Sequence, residues 1–107
     1  RPTLYNSYHE ILPVRNNLGT SNKLYDIVGP ICETGDYFAK NRKMNSVKPG
    51  SLIAIKSVGA YGSVLSSNYN SRPQIAELLV KDYEYAIVRD RIEVKDLIQQ
   101  EKIAHWL

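Results

Sequence analysis

The residues best suited to chemistry lie in one short segment, where a cysteine is followed directly by a glutamate. Cys32 and Glu33 stand between Gly29-Pro30 and Gly35-Asp36, and such residues favour a turn over a packed strand. A thiol in a partly desolvated site can give a proton to a carbanion and be restored by solvent. The adjacent carboxylate can bind an ammonium group. The same pattern also fits a structural role, in which Cys32 is a small buried apolar residue and the two carboxylates are polar turn residues.

Two further segments carry groups that could bind a ligand. Tyr61 stands between small residues in Ala60-Tyr61-Gly62-Ser63, so its hydroxyl could meet a phosphate or a substrate that approaches the backbone closely. The alternative is a tyrosine at the rim of the core with its hydroxyl in solvent. At the start of the chain, Arg1 can form a forked pair with a carboxylate and Tyr5 can donate a second bond to it. The alternative there is a frayed terminus.

Composition argues against several other classes of function. The 107 residues predict one domain, residues 1–107, and the single cysteine leaves no internal disulfide, which fits a reducing cytoplasm. The net charge of +3 comes from scattered basic residues without an aromatic stacking platform, so no nucleic-acid partner is expected. No apolar run reaches the length of a membrane span. His9 and His105 have no Cys or Asp at ligand spacing, so no metal site is expected.

The elements that must position these residues are short. The pattern predicts strands over Tyr8–Val14 and Ser51–Ser57, the second of them buried on both faces, and a polar loop over Lys40–Gly50. A short helix is expected after Ala60. Further along, the sequence predicts a hairpin of two strands, Ile75–Val80 and Glu84–Arg89. It also predicts an amphipathic helix over Val94–Ile103. The fold class expected is mainly β, an antiparallel barrel or Greek-key domain with these two helices.

These segments, in this order, resemble the C-terminal part of diaminopimelate decarboxylases. The matching stretches are RPTLYNSYHEI at 1–11, VGPICETGDYFAK at 28–40 and GAYGSVLSSNYNSRPQIAELLV at 59–80. Three departures are visible: Thr34 where the family has Ser, Val58 where it often has Ala, and Gln74-Ile75 in place of a basic-small pair. None of them touches the proposed reactive groups. The first residues, Arg1-Pro2 without a Met, also suggest a piece of a larger protein.

The resemblance implies an activity and a role for each singled-out residue. This family belongs to the alanine-racemase-like class, fold type III, of pyridoxal 5'-phosphate enzymes. An N-terminal α/β barrel carries the Schiff-base lysine and most of the cofactor site, and the C-terminal β-domain completes the site in a homodimer. The enzyme converts the amino-acid substrate meso-2,6-diaminopimelate to L-lysine and CO2. Because the barrel carries the lysine, the fragment alone should be inactive.

By position, Cys32 corresponds to the proton donor acting across the dimer interface, and Glu33 to the partner-subunit residue that binds the substrate's distal ammonium. Arg1 and Tyr5 correspond to the residues that bind its distal carboxylate, and Tyr61 to the residue near the cofactor phosphate and the substrate.

Three other readings remain open at this point. A decarboxylase of the same fold could act on arginine, ornithine or carboxynorspermidine. A decarboxylase-like protein could have lost catalysis and work by binding. A small basic barrel could bind nucleic acid, which failure to bind oligonucleotides at low salt would exclude.

Overall fold

A computed structural model describes residues 2–15 and 21–107. The described chain is mainly β, as expected. In chain order its elements are α1 (Pro2–Tyr5), β1 (Ile11–Pro13), β2 (Asn22–Val28), β3 (Tyr37–Asn45), β4 (Ile53–Ile55), α2 (Gly59–Val64), a 3-10 helix (Tyr69–Ser71), β5 (Glu77–Lys81), β6 (Glu84–Arg89) and α3 (Val94–Ile98). The chain divides into two compact units, Arg1–Val58 and Gly59–Leu107.

In the first unit, β1 and β4 form one antiparallel pair. Ile11 lies opposite Ile55, and the ladder is extended by the amide of Lys56, which donates to the carbonyl of Glu10 at 2.8 Å. The Lys56 ammonium also lies 2.6 Å from the Glu10 carboxylate. Both strands are shorter than predicted. Ile53 is 37% exposed, so the prediction that this strand is buried on both faces is wrong.

The second pair joins β2 to β3, and a β-bulge sets its geometry. The register passes from Tyr25 opposite Arg42 to Ile27 opposite Ala39, so two β3 residues face one β2 residue. One of the two, Asn41, has a left-handed backbone with φ 51°, which asparagine tolerates better than most residues. The extra residue changes which face the following side chains occupy.

The bulge allows β3 to supply most of the buried core. Ile11, Ala39 and Met44 are the buried apolar residues of the described chain, and they form one cluster. Ala39 and Met44 are five residues apart, a spacing that would put them on opposite faces of a regular strand. The bulge between them brings both to the same side.

The polar loop predicted over Lys40–Gly50 is wrong in its first half. Residues 40–45 belong to β3, and only the stretch after Asn45 is a loop. In a two-stranded sheet most of β3 faces solvent, so it can carry Lys40 and Lys43, both exposed. The bulge also breaks the period-2 alternation that would have indicated a strand.

The second unit is built around the β5–β6 hairpin. Lys81 lies opposite Glu84 across a two-residue turn, in which Asp82 has φ 52°. The predicted hairpin is confirmed in its turn and in β6, whereas β5 begins two residues later than Ile75. Within this unit, no described side chain is buried.

The helices and the sheet closure differ from expectation. The helix near Ala60 is present as α2, but α3 ends at Ile98 and not at Ile103. The described strands form three separate two-stranded sheets and do not close into a barrel. No described helix is long and apolar enough to cross a membrane.

Candidate active site

The Cys32–Glu33 segment forms the loop that joins β2 to β3. Val28 and Tyr37 are the last paired residues, so residues 29–36 lie at one end of this sheet. The amide of Gly29 donates to the carbonyl of Asp36 at 2.9 Å and closes the loop at its base. The amide of Glu33 donates to the carbonyl of Ile31 at 2.9 Å, which makes a tight turn around Cys32.

The Asp36 side chain folds back over the start of the same loop. Its Oδ2 accepts the amide of Ile31 at 2.7 Å, in a partly buried position. The carboxylate lies so close to Gly29 that a Cβ built there would overlap it. Position 29 therefore requires a glycine, because Asp36 occupies the space that a methyl group would need.

The loop presents both reactive groups to solvent. Cys32 and Glu33 are exposed, so the structural alternative with a buried Cys32 is wrong. An exposed thiol beside an exposed carboxylate can meet a ligand that comes from outside the unit. These positions agree with what the proposed roles require, although the roles themselves stay predictions.

The helix α1 lies against this loop. Thr3 donates its hydroxyl to the carbonyl of Gly35 at 2.7 Å, across 32 positions of sequence. Asn6 follows the last residue of the helix, and its amide donates to the carbonyl of Pro2 at 2.9 Å. Its φ of 50° is left-handed, as is common for the residue that ends a helix. Tyr5 is the last residue of α1 and is 75% exposed. Arg1 lies outside the described residues.

Tyr61 lies on α2, in the second unit. It is 71% exposed, so its hydroxyl is available to a ligand. Within this unit, Ser63 donates to Oε2 of Glu77 at 3.2 Å, and Arg89 lies 3.7 Å from the same oxygen. The first contact joins α2 to β5, and the second joins β5 to β6.

Sequence reasoning singled out Cys32 and Glu33 but missed two residues that hold their loop. Thr3 carried no signal, because its partner is a backbone carbonyl 32 residues away. Asp36 was assigned only a turn role. Its position next to Gly35, with a second glycine at the other end of the loop, was the available signal. Among residues 2–15 and 21–107, no group of three or more His, Cys, Asp or Glu side chains is placed to hold a metal ion.

Comparison with known proteins defines the class first. Residues 1–59 match the family model described as "Pyridoxal-dependent decarboxylase, C-terminal sheet domain". This range is more than half of the chain and includes α1, the Cys32–Glu33 loop and all of β1 to β4. The chain therefore belongs to the family of pyridoxal-dependent decarboxylases.

Individual relatives carry a more specific name. Diaminopimelate decarboxylase of Zymomonas mobilis is 50% identical over 107 residues, which is 100% of this chain and 25% of that protein. The protein of the same name from Archaeoglobus fulgidus is 41% identical, over 100% of this chain and 26% of its own length. The chain thus spans about a quarter of the length of these curated relatives.

Solved structures show the same likeness. The crystal structure of diaminopimelate decarboxylase from M. jannaschii matches with a TM-score of 0.88 and 31% identity, over 100% of this chain and 24% of that one. The Helicobacter pylori enzyme complexed with L-lysine matches with a TM-score of 0.81 and 39% identity, over 94% of this chain and 24% of the other.

Proposed function

We propose that this chain is the C-terminal β-domain of a diaminopimelate decarboxylase that converts meso-2,6-diaminopimelate to L-lysine and CO2 in the cytoplasm. The observation that carries the proposal is the 50% identity to a diaminopimelate decarboxylase over all 107 residues. It is supported by the exposed position of Cys32 and Glu33 on one loop. The chain by itself would be inactive.

The family's cofactor is compatible with one residue of this chain. Tyr61 is exposed on α2, and a phenolic hydroxyl there can donate a hydrogen bond to a phosphate oxygen. Pyridoxal phosphate, when bound, supplies the electron sink that makes loss of CO2 feasible. In our proposal the N-terminal domain holds most of the cofactor, including the lysine attachment, and Tyr61 adds a contact to its phosphate and to the substrate.

Cys32 would act as the proton donor. After CO2 leaves, a proton must reach the same carbon, and an Sγ–H at the tip of an exposed loop can deliver it from one subunit into the site of another. The thiol then regains a proton from solvent. The hydrogen bonds on either side of Cys32 hold the backbone of the turn that carries it.

Glu33, Tyr5 and Arg1 would select the substrate. Diaminopimelate has a second amino-acid end, so recognition needs one anion for its ammonium and donors for its carboxylate. A site built for both charges rejects an analogue lacking one of them by leaving a polar group unpaired. In this proposal Tyr5 and Arg1 act in the site of their own subunit, and Glu33 reaches from its loop into the site of the partner subunit.

The partners proposed are the N-terminal α/β barrel of the same protein and a second subunit. The β5–β6 hairpin supports this, because apolar side chains on both of its faces are exposed. Leu78 is 51% exposed and Leu79, on the opposite face, is 65% exposed. An isolated two-stranded hairpin is marginal in water, and exposed apolar faces of this kind indicate a covering surface. Strands from outside this chain would then complete the proposed barrel.

A substrate panel on the full-length protein tests the proposal. We expect CO2 release from meso-diaminopimelate and little from ornithine, arginine or carboxynorspermidine. Glu33→Gln should lower kcat/KM for meso-diaminopimelate by about 10- to 100-fold, since a hydrogen bond to a charged group contributes about 1.5–3 kcal/mol. Glu101→Gln, at another exposed carboxylate, is the matched control.

Two outcomes would overturn the proposal. Preferred turnover of ornithine or arginine would assign the chain to a sister decarboxylase. Cofactor binding without CO2 release from any of the four compounds would indicate a protein that binds but does not catalyse.

A further inference from the structure

We infer that Asp36 is the positioning residue that fixes the orientation of Cys32 and Glu33, an inference that rests on the proposed function. Asp36 is the last residue of the loop and makes three hydrogen bonds within it. Its carboxylate accepts the amide of Ile31 at 2.7 Å, its carbonyl accepts the amide of Gly29 at 2.9 Å, and its amide donates to the carbonyl of Glu33 at 3.3 Å.

These bonds hold the residues immediately before and after the thiol. Asp36 holds the amide of Ile31 and the carbonyl of Glu33, which are the two ends of the tight turn around Cys32. The turn itself is closed by the amide of Glu33, which donates to the carbonyl of Ile31 at 2.9 Å. Cys32 and Glu33 are exposed, so burial in a core does not fix their conformation. The Asp36 side chain contributes to fixing it through the bond that the Ile31 amide donates to its carboxylate.

The aspartate carboxylate has the reach and the chemistry for this arrangement. It is short enough to turn back over Gly29, where the missing Cβ leaves room for it. It also offers an oxygen acceptor to the Ile31 amide in a partly buried position. Asparagine keeps that acceptor without the charge, whereas alanine removes it.

The test uses the full-length protein with Asp36→Ala, Asp36→Asn, Cys32→Ala and the double variant Asp36→Ala/Cys32→Ala. We expect Asp36→Ala to lower kcat by about 10- to 100-fold, because a misplacement of about 1 Å at a reacting group has effects of this size. Asp36→Asn should stay within about threefold of the wild type. If Asp36 acts through the thiol, the double variant should have the kcat of Cys32→Ala within about threefold.

A matched control lies on the same sheet. The carboxylate of Asp26 accepts the amide of Asn41 at 2.7 Å, the same kind of bond outside the Cys32–Glu33 loop. Asp26→Ala should therefore leave kcat unchanged while it removes a comparable hydrogen bond. A purely structural role for Asp36 would make the two alanine variants behave alike.

The outcomes separate this inference from the proposed function. An unchanged kcat in Asp36→Ala, or effects of Asp36→Ala and Cys32→Ala that multiply in the double variant, would overturn it while decarboxylation stands. If the wild type releases no CO2 at all, the proposed function fails. The positioning role of Asp36 is then tested by the rate at which iodoacetamide alkylates Cys32, measured from the mass of the peptide that contains it. A rate in Asp36→Ala that differs from the wild type supports the positioning role, and an equal rate overturns it.

Discussion

Replacing Gly29 with alanine tests the contact between the base of the loop and the Asp36 side chain. The added Cβ would overlap Oδ1, Oδ2 and Cγ of Asp36, so the carboxylate must move. Its movement removes the 2.7 Å bond that the Ile31 amide donates to Oδ2. Loss of a hydrogen bond to a charged group costs about 1.5–3 kcal/mol, and an off-rotamer side chain adds about 0.5–1.5 kcal/mol. We expect a local destabilisation of about 2–4 kcal/mol.

The size of the effect should depend on the aspartate. In an Asp36→Ala background the methyl group at position 29 meets no carboxylate, so Gly29→Ala should then cost less than about 1 kcal/mol. Gly35→Ala is the matched control. A Cβ there would lie 3.5 Å from Oε1 of Glu33 and 3.6 Å from Cγ2 of Thr3, which are ordinary van der Waals distances.

Hydrogen exchange of the peptide spanning residues 29–37, measured in the full-length protein, reads the local opening free energy. A loss of about 2.8 kcal/mol corresponds to about 100-fold faster exchange, since about 1.4 kcal/mol is a factor of ten. We expect exchange about 100-fold faster in Gly29→Ala than in the wild type. In the double variant Gly29→Ala/Asp36→Ala, exchange should be less than about fivefold faster than in Asp36→Ala alone. Wild-type exchange in Gly29→Ala, or an equal effect in both backgrounds, would refute the contact.

Three further predictions follow from the site and the fold. Cys32→Ala in the full-length enzyme should lower turnover by about 100-fold or more while the affinity for pyridoxal phosphate, followed by absorbance titration, changes little; an unchanged rate would remove the proton-donor role. The 107-residue chain alone, incubated with pyridoxal phosphate and dialysed, should show no cofactor absorbance, and a persistent Schiff-base band would contradict the domain assignment. Asn41→Val should destabilise by about 1–2 kcal/mol in urea unfolding, because a β-branched residue is strained at the φ of 51°; Asn41→Gly is the control and should be nearly neutral, and equal losses in both would argue against the bulge.

Local features of this protein could be predicted from the sequence because neighbouring residues determine them. The turn through Asp82 and the strand Glu84–Arg89 follow from a polar break between apolar runs. The turn around Cys32 follows from the glycines and proline that flank it. The same local reading identified Cys32, Glu33, Tyr5 and Tyr61 as candidates, and the structure places all four at exposed positions.

Errors arose where pairing with a distant segment decides the outcome. β3 continues through Lys40 and Lys43 because β2 supplies hydrogen-bond partners, and that pairing leaves no alternation of apolar residues once Asn41 forms a bulge. The C-terminal helix stops at Ile98 although the apolar spacing continues to Ile103. In this part of the chain, helical periodicity alone did not predict the length of the helix.

The sequence by itself determined which side chains can do chemistry and that Cys32 and Glu33 sit in a turn, since residue type and immediate neighbours carry that information. The tertiary structure alone decided what holds them. The Thr3–Gly35 bond joins residues 32 positions apart, and the Asp36 carboxylate fills the space above Gly29. The first contact depends on where the chain returns after β1 and β2, which no local pattern of residues encodes. The second depends on a side-chain conformation that the glycines of the loop permit but do not specify.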